Sequence, residues 1–185
     1  MDLSRLGAAG ALVAAAAWTV SGLVAFLSPG SNFGPVGSQS WYLIESSDAT
    51  AEAGMLVALV GIHARQASHY GRLGRVGFII AFAGTAFVLA STVLWLLAGG
   101  AEGPLTNLLF IAAVPFVLFG FPLVGVAILK HGVLPRWSGW LLLAWILYFP
   151  AIQFLVGNFG EVRILLGLVW LAMAWALWRR NAEQG

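Results

Sequence analysis

The chain has 185 residues, of which 61% are hydrophobic and only 9% are charged, and its formal net charge is +2. An ordinary soluble domain is about 45–50% apolar and about 25% charged, so this composition excludes a water-soluble monomer. The chain contains no cysteine, which excludes disulfides, thiolate metal sites and cysteine nucleophiles.

Apolar runs long enough to cross a bilayer, roughly 20 residues each, occur six times along the chain. The sequence therefore predicts an all-α fold, an integral membrane bundle of six transmembrane helices that forms a single membrane domain over residues 1–185. Short connections between most spans predict that consecutive helices are antiparallel neighbours. The predicted spans are 6–28, 43–62, 76–97, 105–129, 137–156 and 162–178.

The charges predict how this bundle is oriented, because Lys and Arg accumulate in cytoplasmic loops. Eight of the nine cations fall at one set of span ends, and Arg163 is the exception. Both termini are therefore predicted to be cytoplasmic. Trp41 and Tyr42 are among the aromatic residues expected to anchor the span ends at the lipid headgroups.

Two basic turns carry a resemblance to known sequences. They are GRLGRVGF at 71–78 and KHGVLPRWSGW at 130–140, together with the earlier Ala64-Arg-Gln. These segments resemble turns in small multipass bacterial membrane proteins of the domain-of-unknown-function kind. The resemblance covers about a quarter of the chain. It implies a multipass helical fold in the bacterial cytoplasmic (inner) membrane, and it implies no catalytic or binding residue.

Three acids at the start of the second span are the most informative feature for function. Glu45, Asp48 and Glu52 are spaced i, i+3 and i+7, which places them on one stripe of a helix. A charge at the bilayer centre costs on the order of 2.5–3.5 kcal/mol on insertion scales, so exposure of these acids to lipid is not expected.

Two interpretations of the acids remain open on sequence grounds. In the first, the helix starts later than residue 43, with Ser46, Ser47 or, in the simplest case, Asp48 as its N-cap, so that Glu45 lies in the loop and Glu52 pairs with Arg163. In the second, the acids face a wet vestibule, and Glu52 is a cation or proton site that opens outward.

Further polar residues accompany the acids in the outer half of the bundle. The candidate vestibule or binding residues are Glu45, Asp48, Glu52, Asn107, Tyr148, Gln153, Glu161 and Arg163. Pro115 and Pro122 interrupt the backbone hydrogen bonding of the fourth span, which predicts either simple kinks or an opened binding segment. The small residues of the first span predict a close helix contact within the chain, with a homodimer interface as the alternative.

Other chemistry has little support in the sequence. The three histidines fall at the cytoplasmic boundary, so no haem, zinc or other cofactor is predicted. Ser21, Ser91 and Thr92 are expected to hydrogen-bond to backbone or to neighbouring helices, and no catalytic residue is predicted. The expected partner is the lipid bilayer, with a homodimer or a larger membrane complex as an open alternative and no nucleic acid.

The leading functional hypothesis is a membrane protein that binds or transports a small cation, a proton or a hydrophobic molecule through an outward acidic vestibule. The first alternative is an accessory or structural subunit without a site of its own. The second is a lipid-modifying membrane enzyme, for which the paired acids lack a recognisable set of partner residues.

Overall fold

A computed structural model of the chain describes residues 2–28, 35–147 and 159–182. Helices hold 87% of these described residues and none of them forms a strand, so the predicted all-α fold class is confirmed. The helices are α1 (Leu3–Leu27), α2 (Gln39–Gln66), α3 (Gly71–Leu97), α4 (Pro104–His131), α5 (Arg136–Leu143) and α6 (Phe159–Ala182).

Four of these helices are long and apolar enough to cross a membrane. They are Leu3–Leu27, Gly71–Leu97 and Pro104–His131, together with Gly160–Arg179 within α6. A helix rises 1.5 Å per residue, so 20 residues already match a hydrocarbon core of about 30 Å. The described residues thus have the helices of a membrane-embedded protein.

Helix α2 differs from these four, because its three acids lower its mean hydropathy. It is nevertheless 28 residues long, which corresponds to about 42 Å. It begins at Gln39, where the Ser38 hydroxyl caps it by accepting a hydrogen bond from the backbone N–H of Trp41 at 3.2 Å. The prediction that the helix begins near Asp48 is therefore wrong. Glu45 and Asp48 lie inside the helix and neither is a loop or cap residue.

The predicted fifth span is described only in part. Helix α5 covers Arg136–Leu143, a turn at Ala144 leads into helical residues 145–147, and the rest of the predicted span up to Val156 lies outside the described residues.

Glycine contacts bring α1 close to two other helices. A Cβ added to Gly7 would lie 2.5 Å from the Cα of Gly61 in α2. On the other side of α1, a Cβ added to Gly22 would lie 2.7 Å from the carbonyl oxygen of Gly160 in α6. Only residues without a side chain allow such backbone contact. The small residues of α1 at these positions therefore pack within the chain, as predicted.

The remaining helices close the bundle around a shared interior. Helix α2 packs on α3, α3 on α4 and α4 on α5, while α6 contacts α1 and, less extensively, α2 and α5. Helix α4 runs without interruption through Pro115 and Pro122. Its backbone is thus not broken into two half-helices, which removes the structural basis for an opened binding segment at the prolines.

Neighbouring helices run antiparallel, so the Lys and Arg residues other than Arg163 gather at one end of the bundle. The Arg65 guanidinium, at the end of α2, donates a hydrogen bond to the carbonyl oxygen of Ala176, near the end of α6, at 3.4 Å. The starts of α1, α3 and α5 lie at this same end. The opposite end holds the connections from α1 to α2 and from α3 to α4.

Candidate functional site

A cavity of about 580 Å³ lies between the helices, toward the end of the bundle opposite the basic residues. Every long helix contributes to its wall. The lining residues are Trp18, Val36, Trp41, Glu45, Asp48, Glu52, Met55, Thr85, Val88, Ser91, Thr92, Trp95, Thr106, Asn107, Phe110, Val114, Val117, Trp145, Val162, Arg163 and Leu166.

One stripe of α2 supplies the polar side of this cavity. The lining residues Trp41, Glu45, Asp48, Glu52 and Met55 follow one another at intervals of four and three residues. Residues at these intervals share one face of a helix. The predicted acidic stripe therefore extends to Trp41 at one end and to Met55 at the other. Its three carboxyl groups are all buried.

Asp48 and Arg163 form a buried ion pair between α2 and α6. The Nη2 atom of Arg163 lies 2.8 Å from Oδ2 of Asp48, and its Nε donates to the same oxygen at 3.1 Å. Both side chains are about nine-tenths buried. Nε also lies 3.3 Å from Oδ1, so the guanidinium contacts both carboxylate oxygens, as arginine commonly does.

Sequence analysis named the wrong partner for Arg163. The predicted pair joined Arg163 to Glu52, whereas the guanidinium binds Asp48, one turn nearer the start of α2. The hydroxyl of Ser21 in α1 also donates a hydrogen bond to Asp48. Asp48 thus connects three helices, because its oxygens accept hydrogen bonds from both α1 and α6.

Glu52 is placed quite differently. Its Oε1 accepts a hydrogen bond from the hydroxyl of Thr92 in α3 at 3.2 Å. Its Oε2 is buried and has no hydrogen-bond partner among the described residues. The side chain is only 5% exposed and lines the cavity. An unsatisfied buried acceptor is costly, typically about 1–3 kcal/mol, so this oxygen is an exception that calls for a reason.

The position of Glu52 along α2 makes this exception more pronounced. It lies 13 residues after Gln39 and 14 residues before Gln66, which is the middle of the helix. Carboxyl groups within membrane proteins are expensive to insert and usually face bundle interiors or cavities, and Glu52 lines this cavity.

The predicted hydroxyl contacts are confirmed for three residues of α1 and α3. Ser21 donates to Asp48 on a neighbouring helix, and Ser91 donates to the carbonyl oxygen of Thr106 in α4 at 3.0 Å. The single hydroxyl hydrogen of Thr92 is shared between two acceptors, Oε1 of Glu52 at 3.2 Å and the carbonyl oxygen of Val88, one turn back in its own helix, at 3.1 Å.

Aromatic and aliphatic side chains form most of the remaining wall, and sequence analysis did not assign them to a site. The ring centroids of Trp41 and Trp95 lie 6.3 Å apart, and Trp18 donates its indole N–H to the sulfur of Met55 at 3.4 Å. Trp145 completes the set of four lining tryptophans. Trp41 is 1% exposed, so it faces the cavity and is not the interfacial anchor that was predicted.

The cavity has a rim at the end of the bundle that carries the α1–α2 and α3–α4 connections. Val36, Asn107 and Phe110 line it while remaining exposed on the surface. Glu45 is the acid nearest this rim along α2. The arrangement gives a route in which an entering molecule meets Glu45 before it reaches Asp48 and Glu52.

Five of the eight predicted site residues come together at this cavity, namely Glu45, Asp48, Glu52, Asn107 and Arg163. Glu161 does not line it, because its side chain is exposed on the surface of α6. Tyr148 and Gln153 lie outside the described residues.

Histidine chemistry is remote from the cavity. His63, near the end of α2, stacks on Phe78 with ring centroids 4.1 Å apart and shares a hydrogen bond with the hydroxyl of Tyr70. Burial raises the pKa of Tyr70 to about 12, so this phenol keeps its proton at neutral pH. Among the described residues, no group of three His, Asp or Glu side chains is arranged to hold a metal ion.

Carboxyl groups outnumber cations among the described residues that line the cavity. Three carboxyl groups face one guanidinium, and that guanidinium binds Asp48. The polar wall therefore suits a positively charged or hydrogen-bond-donating molecule. No family model matches the chain, and no curated protein or solved structure shows significant similarity to it.

Proposed function

We propose that the chain is a six-span protein of the bacterial cytoplasmic membrane, with both termini in the cytoplasm, and that it binds a small molecule in the cavity between its helices. The ligand enters from the outer side, past Glu45. The observation that carries this proposal is the half-satisfied carboxyl group of Glu52, buried in the wall of a cavity of about 580 Å³.

The distribution of cations supports the orientation. Apart from Arg163, which binds Asp48, the Lys and Arg residues lie at the ends of helices or in the turns that share one side of the bundle. Positive residues near short loops stay in the cytoplasm. This orientation places the rim of the cavity on the outer side.

The size and lining of the cavity support binding. Ligand pockets typically enclose about 300–1,000 Å³, with mainly apolar walls and a few polar groups that fix the ligand. This cavity has that volume and that composition. A purely structural subunit would be expected to fill the same space with side chains, because membrane helices are stabilised by close packing.

Cysteine labelling in intact cells tests the orientation, and the cysteine-free chain makes each introduced thiol unique. Glu102→Cys, in the exposed α3–α4 connection, should react with an impermeant cationic methanethiosulfonate reagent added outside. Ser68→Cys, in the exposed α2–α3 connection, should react only after permeabilisation. The reverse pattern would place the cavity rim in the cytoplasm and contradict the proposal.

The same reagent tests the cavity itself. Val88 lines the cavity, whereas Val93 is exposed on the outer surface of α3, the side that faces lipid in the proposed arrangement. The two positions are compared as Val88→Cys and Val93→Cys. Methanethiosulfonates react with the thiolate, and a thiol in an apolar environment stays protonated. We expect Val88→Cys to be modified from outside at least roughly tenfold faster than Val93→Cys, because only the first thiol contacts water. Equal and slow reaction would refute an outward cavity.

A further inference from the structure

We propose that the ligand is a hydrophobic organic ammonium ion, whose N–H group binds Oε2 of Glu52 and whose apolar body lies against the tryptophan wall. This inference rests on the proposed function and adds the chemical class of the ligand. Such an ion combines a positive charge with an apolar surface, and three requirements of the cavity point to that combination.

The first requirement comes from Glu52. Thr92 satisfies one carboxyl oxygen, and the other has no partner among the described residues although it is buried. A protonated amine supplies both the missing hydrogen bond and the missing charge. Hydrogen bonds between two ionised groups are shorter and roughly twice as strong as those between neutral groups.

The second requirement concerns which acid is available. Arg163 and Ser21 both bind Asp48, so that carboxyl group is occupied by the fold. Glu52 lies four residues further along the same stripe. Thr92 donates to its Oε1, and its Oε2 has no hydrogen-bond partner among the described residues. The free acceptor is thus in the deeper half of the acidic stripe, where an entering ligand becomes surrounded by the bundle.

The third requirement comes from the walls. Trp18, Trp41, Trp95 and Trp145 all line the cavity, and Met55 follows Glu52 on the stripe. Tryptophan has the most favourable ring for a cation within about 6 Å of its face, and aromatic enclosures are used to bind ammonium groups. The same rings provide large apolar surfaces for the body of the ligand.

The spread of the acids favours an elongated organic ligand over a point charge. From Glu45 to Glu52 the stripe extends seven residues along α2, or about 10 Å. Calcium takes six to eight oxygen ligands at one point, and the described residues contain no cluster of three His, Asp or Glu that would provide such a centre.

The test uses three compounds that differ only in their polar group: 3,3-diphenylpropylamine, 3,3-diphenylpropan-1-ol and 3,3-diphenylpropionate. Each is added to the Val88→Cys protein in lipid nanodiscs, and the concentration that halves the rate of thiol modification is measured. We expect the amine to protect at a concentration at least roughly tenfold lower than the alcohol, because both can donate a hydrogen bond to Glu52 but only the amine also brings a positive charge to the carboxylate. The carboxylate should protect least.

A Glu52→Gln change in the same background should bring the half-protecting concentrations of the alcohol and the amine to within roughly twofold of each other, because the charged acceptor is lost. Glu161→Gln, which removes an exposed acid outside the cavity, should leave the ratio unchanged. Differences in how the compounds partition into lipid are the same for all variants, so they cancel in this comparison. The three compounds are first compared on the Val88→Cys protein with Glu52 intact, so that result stands even if the Glu52→Gln variant does not fold.

The outcomes separate the two proposals. If Val88→Cys does not react, or no compound protects it, the proposed binding function fails and the inference fails with it. If the alcohol protects as well as the amine, or if the preference for the amine survives Glu52→Gln, the cavity stands as a binding site but the ammonium ligand is refuted. If the alcohol protects at a lower concentration than the amine, Glu52 is protonated in the cavity, and the inference is equally overturned.

Discussion

Replacing Asp48 with asparagine is expected to lower the free energy of unfolding by about 3–5 kcal/mol, because it leaves the Arg163 guanidinium buried without its countercharge. Asparagine retains an oxygen that accepts from Ser21, so the loss reports the ion pair and not the contact between α1 and α2. Arg163→Met should have a similar cost, since it strands the Asp48 carboxylate. Unfolding by dodecyl sulfate in mixed micelles, followed by tryptophan fluorescence, measures both changes.

The double change Asp48→Asn with Arg163→Met should recover much of the loss, because removing both charges removes their desolvation cost. Glu161→Gln, on the exposed surface of α6 two residues before Arg163, is the matched control and should change stability by less than about 0.5 kcal/mol. A loss below about 1 kcal/mol in both single variants would contradict a structural role for the pair.

Replacing Gly7 with valine is expected to destabilise the bundle by about 1–3 kcal/mol or more, because overpacking at a close contact forces backbones apart. Even the first added carbon would lie 2.5 Å from the Cα of Gly61. That atom belongs to the backbone, so it cannot move aside by a change of rotamer. Helices α1 and α2 must separate, and the Ser21 contact to Asp48 is weakened with them.

Ala9→Val is the matched control for this change, because Ala9 lies two residues further along α1 on its exposed side. We expect Ala9→Val to leave the free energy of unfolding nearly unchanged. If Gly7→Val proves as mild as Ala9→Val, α1 and α2 do not cross at these glycines.

Hydropathy located the apolar middles of the helices and missed their polar ends. Helix α2 shows this most clearly, since its predicted span began at residue 43 and the helix begins at Gln39. Its cap, Ser38, lies before the predicted span, in a stretch that contains Gly, Pro and Ser. A Ser three residues before the tryptophan at position 41 was the available signal for this N-terminus.

The partner of Arg163 was beyond sequence analysis for a geometric reason. Periodicity places Glu45, Asp48 and Glu52 on one stripe, and the structure confirms their common burial. Periodicity does not reveal how α6 is shifted along α2, and a shift of one turn exchanges Asp48 for Glu52. The contact between Gly22 and Gly160 helps to set the relative position of α1 and α6, and no local pattern encodes it.

The aromatic half of the site was also missed, because tryptophans in membrane proteins are usually interfacial anchors. The spacing from Trp41 to Glu45, and onward to Asp48, was the signal that placed Trp41 on the acidic face. Trp18 of α1, Trp95 of α3 and Trp145, which follows α5, join it only once the helices are packed, since each is distant in sequence from the acids.

The central claim is that the acids of α2 divide into one that stabilises the fold, Asp48, and one that is kept for a ligand, Glu52. Comparing Glu52→Gln with Asp48→Asn in the same unfolding experiment tests this most directly. Glu52→Gln should leave the free energy of unfolding within about 1 kcal/mol of the original, or raise it, because the carboxyl it removes is only half satisfied. A loss as large as that of Asp48→Asn would show that Glu52 holds the bundle together, and would contradict the claim.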